Sequence, residues 1–203
     1  VKDCPGTEFY SRPTAEVAKS LIGTILVRKI KIRGKSVRLS GRIIETEAYG
    51  HSDDPASHAR MGPTARNGVM FGDVGRAYVY FIYGNHFCVN VSARSGNEKA
   101  GAVLIRALEP IHGIEIMNKM RGVSDPMLVT SGPGRLTQAL DITSLQNGVD
   151  MTSPDSELHI ECGVRADHVM ATPRIGITRS AERYWRFVDP TSKYLSRKLQ
   201  IKV

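Results

Sequence analysis

The stretch that most constrains this chain is Ala77-Tyr78-Val79-Tyr80-Phe81-Ile82-Tyr83-Gly84-Asn85-His86-Phe87-Cys88-Val89-Asn90-Val91. Two aromatic and β-branched runs flank Gly84-Asn85, a pair that tolerates the positive φ of a tight turn, so the spacing predicts an antiparallel hairpin with Tyr83 at its tip. A ring at such an apex has two readings. It folds back onto a neighbouring loop, or, in a basic protein, it stands out as a wedge able to enter between stacked bases and hold a duplex open.

The rest of the chain supplies a sheet for that hairpin. Thr24 to Ile32 alternates apolar and basic residues, Gly34 marks a turn, and Val37 to Tyr49 returns as a second strand without a helix cap. Ala102 to Leu108, Leu158 to Cys162, Ile175 to Ile177 and Trp185 to Val188 read as further strands. Helices are expected from Pro13-Thr14 through Ile22, over Ile114 to Met120 and over Arg135 to Leu140, with Val1 to Ser11 polar and loosely held. Gly50 to Gly75, rich in Gly, Pro, Ser, Asp and Asn, is too long for an idle connector and is expected to carry function. No repeat or linker divides the chain, so residues 1–203 are expected to form one compact α+β domain: a curved, mostly antiparallel sheet, flanking helices and a protruding hairpin.

Charge narrows the partner. Twenty-eight Lys and Arg against twenty Asp and Glu give a formal net charge of +8, which favours a polyanion such as nucleic acid or an acidic membrane surface. No window approaches the run of about 18 apolar residues of a spanning helix, and no basic amphipathic helix stands out, so a membrane role is not expected. The widely spaced Cys4, Cys88 and Cys162 form neither a disulfide framework nor a CxxC metal site. With no signal-peptide pattern, they point to a reducing intracellular compartment.

The chemistry-bearing residues cluster in Gly41-Arg42-Ile43-Ile44-Glu45-Thr46-Glu47-Ala48-Tyr49 and the loop after it. Strand period two puts Glu45, Glu47 and Tyr49 on one side and Ile44, Thr46 and Ala48 on the other. Two carboxylates beside an aromatic, ahead of a His-bearing loop, suit a site that activates water; the alternative is a pair of solvated glutamates on an exposed face. Glu45, Glu47, Asp53, Asp54, His51 and His58 could also supply metal ligands, although none of the standard spacings is present, and a metal-dependent nuclease built on Glu45, Glu47 and the Asp53-Asp54 pair is a further reading.

Taken together, Gly41 to Tyr49, His58, Tyr78-Val79-Tyr80-Phe81-Ile82-Tyr83-Gly84, Cys88-Val89-Asn90, Arg106-Ala107-Leu108-Glu109-Pro110, Ser131-Gly132-Pro133 and Pro173-Arg174-Ile175-Gly176 resemble the alkyladenine (3-methyladenine) DNA glycosylase family, in family order across nearly the whole chain. The resemblance implies a monofunctional base-excision enzyme that hydrolyses the N-glycosidic bond of alkylated or deaminated purines in damaged double-stranded DNA. Its substrates would be of the 3-methyladenine, 7-methylguanine, ethenoadenine and hypoxanthine class, and it would use no metal or organic cofactor. It also implies a monomer acting inside the cell with the DNA: in the nucleus if eukaryotic, in the cytoplasm or nucleoid if prokaryotic. Carried onto this sequence, Glu47 becomes the general base and Arg106 the group that holds the water and the carboxylate. Tyr49 and Tyr80 sandwich the extruded purine, His58 adds a wall and a hydrogen bond, Asn90 crowds the guanine amino group, and Tyr83 fills the gap in the stack.

Base extrusion costs a few kcal/mol, and aromatic stacking returns about 1–3 kcal/mol per contact, so the two terms are of similar size. No Lys or amine is positioned by the motifs as a nucleophile, which favours hydrolysis in one displacement over a Schiff base. Arg60 and Arg66, with the Ser131-Gly132 helix entry, are candidates for backbone phosphate. A non-catalytic duplex-binding module that uses the same hairpin is the competing reading.

Overall fold

The computed structural model describes residues 5–82 and 86–199. Two short helices, α1 (Thr7–Tyr10) and α2 (Thr14–Ser20), precede a sheet of strands β1 (Ile25–Ile32), β2 (Lys35–Tyr49), β3 (Ala77–Ile82), β4 (His86–Ser92) and β5 (Ala102–His112). Helices α3 (Ile114–Arg121) and α4 (Pro133–Ala139) follow, then strands β6 (Leu158–Glu161), β7 (Met170–Thr172) and β8 (Arg186–Val188). Every pairing between these strands is antiparallel. The main path runs β3-β4-β5-β2-β1-β6, and β8 joins β2 to β7.

β2 organises the sheet. It leaves β1 through Arg33 and Gly34, both at positive φ as a two-residue hairpin turn requires. One edge of β2 is shared: β1 takes Lys35 to Arg42 and β8 takes Glu45 to Glu47, while β5 runs along the other edge from Ser40 to Tyr49. Three register shifts lie between β2 and β5, at Ser40/Gly41, Ile43/Glu45 and Glu45/Thr46. Such irregularities bend a strand and sharpen its twist, and here they help the sheet to curl. Gly41 allows the close approach of β5, since a Cβ there would lie 2.9 Å from both the Glu109 carbonyl oxygen and the Leu108 Cβ.

The strand registers sort residues onto two faces. Ala77, Val91, Val103 and Ala48 stand in one cross-strand row, and Tyr78, Asn90, Leu104 and Glu47 in the next. The first row belongs to the core, with Leu26, Leu39, Ile43, Ile105 and Leu108, closed over by Val17 and Leu21 near α2, Met117 of α3 and Leu136 of α4. Thr46 points to this side and donates its hydroxyl to the Ala18 carbonyl at 2.8 Å. The second row faces a cavity.

Three expectations need correction. Tyr10, expected in a loosely held segment, is fully buried at the end of α1, and its carbonyl accepts from the Arg94 amide at 3.1 Å. Ile175 to Ile177 is not a strand: Pro173 supplies no ladder donor, Gly176 turns the chain at φ 74°, and the Ile175 amide bonds a side chain instead. The late strand lies just upstream, at Met170–Thr172. Helix α4 begins two residues earlier than expected because Pro133 occupies its first turn, where the missing N–H costs nothing.

Candidate active site

The cavity spans four strands. Tyr49 of β2, Ala102, Leu104 and Arg106 of β5, Cys88 and Asn90 of β4, and Tyr78, Tyr80 and Ile82 of β3 line a volume of about 360 Å³. Residues outside the strands complete it: Ala56, His58 and Met70 from the long connector, Pro133 at the start of α4, and Ile175 to Ile177. On a flat sheet, β2 and β3 would stand roughly 14 Å apart across three strand spacings. The curl of the sheet brings Tyr49 and Tyr80 to one cavity.

Rings make up much of its lining. His58 packs edge-on to Tyr80 at 4.7 Å, Tyr78 lies 5.1 Å from Tyr80, and His58 Nδ1 pairs with the Tyr78 hydroxyl at 3.0 Å. Burial, then the Arg66 charge, hold His58 below the ordinary imidazole pKa. Burial pushes the Tyr78 phenol up to about 12, and burial aided by Cys88 pushes Tyr80 higher still. Cys88 is itself held as a thiol, because burial raises its pKa by more than the Tyr80 hydrogen bond and Arg106 lower it. Asn90 donates one Nδ2 hydrogen to the Tyr78 carbonyl at 2.8 Å, which fixes the amide plane at the cavity wall.

Behind this lining lie the two glutamates, both fully buried, so the solvated-face alternative does not hold. Arg106 sits at the register shift opposite Glu45 and Thr46, and the bulge aims its guanidinium between the carboxylates. Nε reaches Glu45 Oε1 at 3.1 Å and Nη1 reaches Glu47 Oε2 at 3.0 Å. Burial works against the Arg106 cation, but Glu47 and Glu45 more than restore it, and its pKa is raised. Glu45 also accepts from Arg186 Nε at 2.7 Å and from the Ser196 amide and hydroxyl, both at 2.7 Å.

Glu47 has a simpler shell. Oε2 accepts from the Tyr49 hydroxyl at 2.8 Å as well as from Arg106, and Oε1 accepts from the Ile175 amide at 2.7 Å. All three partners are donors, the set an ionised carboxylate satisfies, and all three residues line the cavity. Burial, then Glu47, push the Tyr49 phenol far above its ordinary pKa, so it stays a donor. An ionised carboxylate offers about four lone-pair positions, so with three filled by described residues one on Oε1 is left for a water.

The carboxylates of the nuclease reading are taken up by arginines. Asp54 forms a fully buried pair with Arg174, and Asp53, at the surface, meets Arg183 at 3.1 Å. Among the described residues, no group of three or more His, Cys, Asp or Glu side chains converges as a metal site would need. His51 turns its ring edge-on to Phe71 at 5.6 Å.

The phosphate candidates divide. Arg60 is exposed. Arg66 is exposed too, but lies over the Tyr80 ring at 5.2 Å and donates to the Phe81 carbonyl at 3.1 Å. Ser131 is buried and accepts from Arg135, and the Gly132 amide is spent on the Thr130 carbonyl at 3.0 Å. Tyr83 lies outside the described residues. On the strands either side of it, Phe81 of β3 and His86 of β4 are exposed.

Sequence reasoning assigned no role to Arg174 and Arg186 and offered Asp54 only as a metal ligand; these three join Glu45, Glu47 and Arg106 in a buried set of three carboxylates and three guanidinia. The only available signal was Arg174's place in the Pro173-Arg174-Ile175-Gly176 motif.

Residues 8–193 match the family described as Methylpurine-DNA glycosylase. The chain belongs to that family. As a member it is an enzyme that hydrolyses N-glycosyl bonds, and DNA is its substrate. Curated relatives agree in length as well as in sequence. A protein of Koribacter versatilis is 48% identical over 194 residues, covering 94% of this chain and 91% of its own. One of Methanoculleus marisnigri is 45% identical over 194 residues, with 94% and 97% covered. One of Carboxydothermus hydrogenoformans is 45% identical over 193 residues, again with 94% and 97% covered. Each bears the name "Putative 3-methyladenine DNA glycosylase". No helix among the described residues of the glycosylase is long and apolar enough to cross a membrane.

Proposed function

We propose that the chain, as one catalytic domain over residues 1–203, excises alkylated or deaminated purines from double-stranded DNA by flipping the nucleotide and hydrolysing its glycosidic bond in a single displacement. The observation that carries this reading is the shell of Glu47: a buried carboxylate held by Tyr49, Arg106 and Ile175, all of which line an aromatic cavity. A base inside a duplex hides its glycosidic bond, so it must leave the stack to be cut. The cavity receives it between Tyr49 and the His58–Tyr80 pair, where stacking is worth about 1–3 kcal/mol per contact. Tyr83, which follows β3 in the sequence, takes the vacated place in the duplex, and Asn90 crowds purines that carry a guanine amino group. The name that the relatives bear, putative 3-methyladenine DNA glycosylase, supports 3-methyladenine as one of the substrates.

As the bond to the base breaks, positive charge develops on the sugar, as in glycoside hydrolysis. Glu47 faces that charge and takes a proton from a water at the open position on Oε1, while Arg106 fixes the carboxylate's orientation. A purine methylated at N3 or N7 is already cationic while attached to the sugar, takes the bond electrons to depart as a neutral base, and needs no acid. The enzyme acts as a monomer on DNA within the cell, with Arg60 and Arg66 on the phosphate backbone.

The test is single-turnover release of free base from a duplex oligonucleotide carrying hypoxanthine or a methylated purine, with chelator present. Glu47→Gln is expected to bind the lesion duplex as the parent does and to lose about 10²–10⁴-fold in rate. Release at the parental rate would refute the general-base role, and binding without release in the parent would favour the non-catalytic module.

A further inference from the structure

We infer that the buried Asp54–Arg174 pair is a positioning device for the reaction, a staple that ties together the two loops walling the cavity and holds the Ile175 amide on Glu47; this rests on the reading of Glu47 as the base. Arg174 Nη1 meets Asp54 Oδ2 and Nη2 meets Oδ1, each at 2.7 Å, a bidentate pair between side chains with no solvent exposure. Nη1 also donates to the Ala48 carbonyl at 2.9 Å, and the guanidinium lies 4.8 Å from the Tyr49 ring centre.

Each partner organises its own loop. Asp54 accepts from the Gly50 amide at 3.0 Å and the Ala56 amide at 3.3 Å, so with the two arginine bonds its four acceptor positions are used. Two residues on from Ala56 stands His58, and both line the cavity. Arg174 is followed by Ile175, whose amide reaches Glu47 and whose side of the cavity includes Gly176 and Ile177. Neither loop has ladder hydrogen bonds to hold it, because both lie outside the strands.

Stability alone is a poor reason for such a pair. Burying two charges is costly, and well-packed apolar residues often serve stability as well or better. What an apolar pair cannot do is fix orientation: the planar fork of arginine against a carboxylate sets distance and angle together. Here that orientation passes through one peptide bond to the donor that meets Glu47 Oε1. Asp54 and Arg174 are therefore positioning residues, since the Asp54 oxygens and the Arg174 Nη atoms bond to each other and to backbone while the guanidinium packs on Tyr49 and Trp185.

The experiment measures three quantities on Asp54→Asn and Arg174→Lys: the single-turnover rate of hypoxanthine release, the Kd for the same lesion duplex, and the melting curve. Positioning predicts that the rate falls about 10- to 100-fold while Kd stays within about threefold and the protein remains folded at the assay temperature. The lysine keeps the charge but not the fork, so it is expected to fail with the asparagine variant. A rate within about twofold of the parent in either folded variant overturns the inference, as does a loss of rate matched by an equal loss of affinity. Glu47→Gln, run alongside, separates the two ideas: if it keeps the parental rate, the base reading fails, whereas if it alone loses rate, only the staple fails. Should neither pair variant fold, exchange of the Ile175 amide in the parent decides. Protection comparable to the core strands supports the staple, and rapid exchange overturns it.

Discussion

Ile175 donates its backbone N–H to Oε1 of Glu47 across 2.7 Å, joining a loop residue to a strand carboxylate 128 positions earlier in the chain. The bond explains why Ile175 cannot also serve a sheet ladder, and it sets the side of Glu47 on which an acceptor position is left open.

Arg106 alone among the described residues bridges the two glutamates. Arg106→Met would leave Glu47 without its cation and Glu45 with Arg186 only. The expected cost is about 3–5 kcal/mol, because uncompensated buried charge is expensive. Arg106→Lys should retain most of the stability yet lose base release, having one ammonium for two carboxylates. Urea denaturation together with the release assay checks both statements.

Tyr49 combines a cavity-lining ring with a hydroxyl on Glu47. Tyr49→Phe removes only the hydroxyl, and a hydrogen bond to a charged group is worth about 1.5–3 kcal/mol, so a rate loss of about 10- to 100-fold is expected with lesion affinity little changed. Tyr49→Ala should lower both. Equal Kd values for the phenylalanine and alanine variants would show that the ring does not stack on the substrate.

Acid should probe the Asp54–Arg174 pair. Burial alone would raise the Asp54 pKa, but the Arg174 bonds and the Gly50 amide outweigh it, and the net shift is down from 3.8. A depressed folded pKa means that the pair's contribution is complete above the unfolded value and drains away as the pH falls through the lower folded value. Melting of the parent should therefore steepen its decline below pH 3.8, and Asp54→Asn should melt lower at neutral pH but with a flatter acid limb. Parallel curves for the two proteins would contradict this.

Arg60 and Arg66 should differ in kind. Loss of one phosphate contact reduces the slope of log affinity against log salt by about 0.9, equally on lesion and undamaged duplex, which is the whole effect expected of Arg60→Ala. Arg66→Ala should also loosen Tyr80, on which the guanidinium rests at 5.2 Å, and so weaken lesion binding more than undamaged binding. Titrations at two salt concentrations separate the cases.

How far the fold could be read in advance follows from which interactions are local. The β1–β2 hairpin was legible because alternation and the turn at Gly34 are short-range signals, and the same holds for β3 and β4. Period two correctly put Glu45, Glu47 and Tyr49 on one face, since Thr46 turns to α2 while the carboxylates turn to Arg106. What periodicity could not reveal is that this face is buried, because the neutralising guanidinia of Arg106, Arg174 and Arg186 come from far along the chain. Two isoleucines made 175–177 look like a strand. Its conformation is decided by Pro173, Gly176 and a carboxylate on another element, a tertiary override of local preference. The Asp53-Asp54 doublet read as a metal candidate for the same reason, with its arginine partners not visible in the spacing.

Cys88 stands in the wall of the candidate cavity, in a member of a family named for methylated purines, the products of electrophilic attack. Reagents that methylate purines also methylate sulfur, and they do so through the thiolate. With its proton retained by burial, the sulfur of Cys88 presents a weak nucleophile beside Tyr80. Held as the thiol, that side chain is in its less reactive form toward such reagents.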